Sequence, residues 1–175
     1  MAEKIEFLQS HGAATAGHGV RTLIEHLQGV EALLVAWSAR PALCDAGLFH
    51  SVYGTESYTR QTIPDTLRPT VIDLIGEEAE RLARLFGVME KATFYALLEA
   101  GEGTITHRQT GETISLSRQD FADLCELTVA NWLEQRPRVK PEHKRIREDE
   151  FRRMLPVLRP HSRAALAEAY GFPLD

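Results

Sequence analysis

The chain has 175 residues, 43% of them hydrophobic and 26% charged. That is the length and balance of one globular domain with a core of its own, and it argues against a disordered chain. Net charge is −5, and no apolar run in the sequence approaches the roughly 18 residues of a spanning helix.

The first residues, MAEKIEFLQS, carry charge where a secretory signal would be apolar, so the expectation is a cytoplasmic protein with no membrane partner. Cys44 and Cys125 sit in apolar surroundings and read as buried, reduced thiols.

Gly17 to Trp37 reads as one long helix, because Val20, Leu23, Leu27, Val30, Leu34 and Trp37 recur at helical spacing. Pro41 suits the first turn of a second helix running to about His50. Loop residues follow from Gly54 to Pro64. Two short helices are expected over 66–86, with Gly76 and Gly87 as their C-caps, and helix continues over 90–100. One β-like element spans Thr104 to Leu116: Ile105 and His107, then Ile114 and Leu116, alternate about a Thr110-Gly111 turn. Ser117 and Asp120 resemble a capping box. The helix they open carries Phe121, Leu124, Thr128, Asn131 and Gln135 on one face and ends at Arg136-Pro137. Amphipathic segments at about 145–154 and 160–170 complete a single, mostly helical domain over 1–175. Trp132 and these last segments can pack internally or serve a homo-oligomer.

Charge is unevenly spread. Arg136 to Arg163 holds ten Lys/Arg against four acids, and the rest of the chain ten against 21. With acids among the basic residues, this segment is expected to be a solvated helical face and not a nucleic-acid footprint.

Among the histidines, His26 lies about 40° from Val30 and about 20° from Leu33 on a helical wheel, beside the buried stripe. His18 falls on the side opposite Leu27, at the surface or the helix start. His50 follows Ala46 and Gly47, whose small size lets another helix approach, and so turns inward. Two inward histidines on consecutive helices can converge on one point, although a lone inward histidine is more often a hydrogen-bonded core residue.

The stretch AGLFHSVYGTE around His50 resembles the helix ending in His-Asp of the HD superfamily of metal-dependent phosphohydrolases. His26 to Val30 is similar to that superfamily's His-x-x-x-Val helix. DTLRPTVIDLIGEEAERLARLF resembles the segment after the motif in RelA/SpoT-type guanosine-tetraphosphate hydrolases, and LTVANWLEQ the helix giving their last metal ligand. The resemblance covers roughly residues 18 to 135. It implies an HD-like helical bundle with the hairpin as an insertion, and a divalent cation held by two histidines and two aspartates.

His26 and His50 match the histidines, but Ser51 and Asn131 stand at the aspartate positions. Gly54 and Thr55 replace an expected acidic pair, with Glu56 just beyond. Loss of two carboxylates weakens the hold on a divalent metal and argues against a conventional HD phosphohydrolase. Glu56, Tyr53 or Glu78 are the residues able to restore a ligand.

Three readings follow. The first is a small-molecule enzyme (an isomerase, lyase or cyclase) using His26, His50, Ser51 and Glu56 in acid–base chemistry without a metal. Tyr53, Thr55, Asn131 and Gln135 would bind its ligand, for which the resemblance suggests a phosphorylated compound. The second is an HD-type hydrolase or oxygenase holding Fe, Mn or Zn at His26, His50, Asn131 and Glu56. The third is a non-catalytic ligand-binding or regulatory domain. The first is preferred, with the 104–116 hairpin as a wall or lid of the cavity, or else as a solvent-exposed tongue without a role.

Overall fold

A computed structural model describes residues 1–18 and 21–174. The chain opens with a helix that the apolar spacing did not announce, α1 (Ala2–Ser10), anchored by fully buried Leu8. Gly17–His18 (β1) and Arg21–Thr22 (β2) then pair as a two-residue antiparallel ladder, so the long helix begins at Leu23 and not at Gly17. The reason is local: Thr22 and Glu25 form a full capping box, which fixes the start of α2 (Leu23–Ala36). Val20 and the side chain of His18, both placed by the sequence reading, lie outside the described residues.

Pro41 opens α3 (Pro41–Phe49), and His50 is its cap. A short 3-10 turn at Asp65–Leu67 leads into α4 (Arg68–Ile75), which Gly76 terminates at φ +85°. Next, α5 (Glu77–Val88) runs straight through Gly87, which therefore is not the expected C-cap. A Cβ on Gly87 would lie 2.7 Å from the Gly54 carbonyl oxygen, so this glycine lets the loop after α3 rest on α5. The helix expected over 90–100 is shorter, α6 (Lys91–Ala96). The hairpin forms from β3 (Gly103–Thr106) and β4 (Thr113–Leu116), with Gly111 in its connecting loop at φ +75°.

Ser117 and Asp120 make the capping box of α7 (Arg118–Gln135). After α7 the chain makes 3-10 turns at Arg136–Arg138 and Pro141–His143 before α8 (Glu148–Met154) and α9 (Pro160–Tyr170). The basic segment is therefore not one solvated helical face. Arg159 turns inward to Asp123 (3.3 Å) and Glu126 (3.4 Å) of α7, and Arg138 pairs with Glu134.

The molecule is thus mostly helical, with no helix among the described residues long and apolar enough to cross a membrane. A cluster of buried apolar side chains extends from Leu8 to Phe172. Burial of a side chain such as Leu27, Leu43 or Phe49 contributes about 1.5–3 kcal/mol. Within it α2 packs on α3 and α7, and α3 on α5. At the α2–α3 crossing a Cβ on Gly47 would lie 2.5 Å from Leu34 Cδ1, so any larger residue would force buried Leu34 to shift. Arg40, at the start of α3, bridges buried Asp123 on α7 and Glu78 on α5, tying α3 to both helices. Cys44 and Cys125 are both free and buried.

Candidate functional site

Three elements converge because Gly47 brings α2 and α3 together while α7 lies along α2. His26 comes from α2, His50 from the end of α3 and Asn131 from the last turns of α7. His26 and His50 are almost completely buried.

The partners of the ring nitrogens set their hydrogens. His50 Nδ1 lies 2.7 Å from the Gly47 carbonyl, which only accepts, so Nδ1 donates. His26 Nδ1 lies 2.6 Å from Oε2 of Glu134 and donates to it. Burial pushes the Glu134 carboxyl up, but the hydrogen bond and charge of His26, together with the Arg138 guanidinium, outweigh it. Glu134 is held below the ordinary glutamate range. Its other oxygen accepts from Arg21 Nη1 at 3.1 Å and Arg138 Nη2 at 2.6 Å. A Cβ on Gly29 would lie 2.7 Å from Glu134 Cγ, so Gly29 makes the space this carboxylate fills.

Both Nε2 atoms then face one another at 3.2 Å, and each faces Asn131 Oδ1, at 3.0 Å from His26 and 3.1 Å from His50. Gln135 fixes which end of the Asn131 amide faces the rings. Its side-chain NH2 donates to the Asn131 carbonyl at 2.9 Å and to Oδ1 at 3.2 Å, which requires oxygen there. Three lone-pair atoms this close repel unless a positive species lies among them. A proton on either Nε2 would relieve this by turning that nitrogen into a donor to its neighbours, and a bound cation would relieve it equally. The Phe86 ring packs edge-on against His50, 5.3 Å between centroids, and holds its plane.

Beside this triangle opens a cavity of about 580 Å³. His26, Ser51, Thr55, Asn131 and Gln135 line it, while His50 stands behind them. Three expected residues are elsewhere. Tyr53 is buried beneath Arg84, whose guanidinium lies 5.7 Å from the ring centroid. Glu56 is exposed, and its carboxylate accepts from the Lys91 backbone N–H at 3.3 Å, so it does not join the histidines. Glu78 is occupied at the surface by Arg40, at 2.8 Å.

The 104–116 hairpin supplies no lining residue among those described, so of its two readings the wall is not what forms, and residues between Arg138 and Phe151 line the cavity instead. Glu134 was missed because it lies one position from Gln135, off the apolar stripe of α7. Its spacing of three from Asn131 was the available signal.

A divalent ion at the triangle would meet two imidazole nitrogens and one amide oxygen. The 3.0–3.2 Å spacing suits neighbouring ligands with bonds of roughly 2.0–2.2 Å. Nδ1 atoms held by a carboxylate and a carbonyl are also the usual support of metal-binding histidines. Charge does not suit it. The three donors are neutral, Glu134 is already shared with two arginines, and Arg21, Lys91, Arg138 and Arg147 line the cavity. Among the described residues no three His, Cys, Asp or Glu side chains are grouped to hold a metal. The donor set fits a proton better than a divalent cation.

Comparison with known proteins adds one match. No curated protein and no solved structure matches the chain. Residues 7–91 match the model of a family described as a domain of unknown function, DUF6817, a span that takes in His26, His50, Ser51 and Lys91 but ends before α7 and its Asn131 and Glu134.

Proposed function

We propose that the chain is a small-molecule enzyme on an HD-like helical scaffold, with His26 as the proton-transferring group and no metal. The observation that carries this reading is the dyad of His26 with Glu134, whose imidazole lines the cavity. A carboxylate on Nδ1 fixes the tautomer and stabilises the imidazolium, so Nε2 can pass a proton to or from a bound substrate. Asn131 orients that nitrogen, and His50 offers a second basic nitrogen within 3.2 Å to take or return the proton. Ser51, Thr55 and Gln135 supply hydroxyl and amide groups for holding the substrate. Such an arrangement suits an isomerase, lyase or cyclase acting on an acidic carbon–hydrogen bond.

The HD-like reading is supported by order and convergence. His26, His50-Ser51 and Asn131 lie on α2, at the end of α3 and on α7, with α4 and α5 formed by the stretch that follows the motif. A metal-dependent hydrolase or oxygenase is the second reading, favoured by the support on both Nδ1 atoms.

Exchange in D2O separates the readings. Small carboxylic acids and phosphate esters are incubated with the protein and checked for deuterium at carbon by mass spectrometry. The acid–base reading expects incorporation that resists chelators and falls by about 10²–10⁴ in His26→Ala. Exchange abolished by a chelator favours the metal reading. Binding without exchange favours a ligand-binding domain.

A further inference from the structure

Charge around the cavity is one-sided. Four cationic side chains line it, and no aspartate or glutamate is among its described lining residues. Arg21 and Arg138 are accounted for by Glu134. Lys91 and Arg147 are not: among the described residues neither makes an ion pair with a carboxylate, whereas most arginines of the chain do.

Both are nonetheless held in place. Lys91 Nζ donates to Ser57 Oγ at 2.7 Å, and the exposed Glu56 carboxylate binds the Lys91 backbone rather than its ammonium. Arg147 lies over the Tyr95 ring, 4.9 Å from its centroid, one helical turn from Lys91. Its backbone takes φ +57°, a left-handed conformation that favours glycine, at the point where the chain turns into α8. Burial pushes the Lys91 ammonium down, Glu56 opposes this, and the nearby Arg147 charge adds to the lowering. Two like charges held beside one concave surface, with no carboxylate between them on that surface, suit an anion. Around them Tyr58, Phe86, Tyr95, Trp132 and Phe151 present ring surface, with Trp132 and Phe151 stacked at 6.1 Å.

We infer that Lys91 and Arg147 form an anion-binding clamp, and that the cavity takes a small organic acid with a flat apolar body and a carboxylate or phosphate group. The inference rests on the reading of this cavity as a ligand site, but not on the chemistry assigned to His26.

Calorimetric titration of the full chain with phenyl phosphate, benzoate and neutral benzyl alcohol tests it. Both anions should bind, more weakly as salt rises, and benzyl alcohol should bind at least about tenfold more weakly. Lys91→Met and Arg147→Ala should each lower anion affinity about tenfold, and Arg118→Gln, an exposed residue paired with Glu102 outside the cavity, should not. Tighter binding of phenyl phosphate assigns a phosphate ester, and tighter binding of benzoate assigns a carboxylate. Equal binding of benzyl alcohol, failure of both anions to bind at millimolar concentration, or unchanged affinity in both clamp variants overturns the clamp. His26→Ala should still bind the anions. Anion binding kept in that variant while exchange in D2O is absent from the wild type would sink the catalytic reading and leave the clamp standing.

Discussion

His26 Nδ1 lies 2.6 Å from Oε2 of Glu134, a residue 108 positions later in the chain, and both are buried. Replacing the carboxylate with an amide removes the charge that both His26 and Arg138 answer. Glu134→Gln should cost about 1–3 kcal/mol in chemical denaturation, most of it at His26, because Arg21 and Arg138 are partly exposed and screened.

Acid should act through the same residue. Glu134 titrates below the ordinary glutamate range in the folded protein, so its stabilisation is fully present above that range. It is lost as pH falls through the lowered folded value, where the unfolded chain already binds the proton. Denaturation midpoints measured from the ordinary glutamate range downward should fall more steeply in the wild type than in Glu134→Gln. Parallel pH profiles would contradict this.

Gly29→Ala tests the dyad by displacement instead of charge. The new Cβ would meet Glu134 Cγ at 2.7 Å, and the carboxylate must move. A helical Gly→Ala exchange gains up to about 1 kcal/mol, which offsets part of an overpacking cost of about 1–3 kcal/mol, so the net loss should not exceed about 2 kcal/mol. The downfield imidazole N–H resonance of the His26–Glu134 hydrogen bond should nevertheless disappear from the proton NMR spectrum.

Gly47→Ala acts at the α2–α3 crossing, where its Cβ would lie 2.5 Å from Leu34 Cδ1. Overpacking there should cost about 1–3 kcal/mol and shift His50, whose Nδ1 binds the Gly47 carbonyl. The effect should be smaller in a Leu34→Ala background, a coupling that a double-mutant cycle would read.

Much of the frame was legible because its signals are local. Pro41 opens α3, Ser117 and Asp120 cap α7, and the apolar stripe of α2 was read correctly from Leu23 onward. Convergence of His26 and His50 followed from helix faces, while Asn131 was placed beside them only by the resemblance of its helix to one that supplies a last metal ligand. What was misread depended on partners distant in sequence. Gly87 resembles a C-cap until Gly54 is found resting on it. Glu56 and Tyr53 neighbour the motif, but the turn of the loop points one outward and buries the other under Arg84. Glu134 and Arg147 gain their places only when α7 and the segment beyond it close over the cavity.

Elemental analysis of tag-free protein, after anaerobic incubation with Fe²⁺, Mn²⁺ or Zn²⁺ and desalting, tests the central claim most directly. A proton-holding triangle of His26, His50 and Asn131 predicts no stoichiometric metal and no difference between wild type and His50→Ala. Near-stoichiometric metal in the wild type that is lost in His50→Ala would contradict it and make the triangle a metal centre.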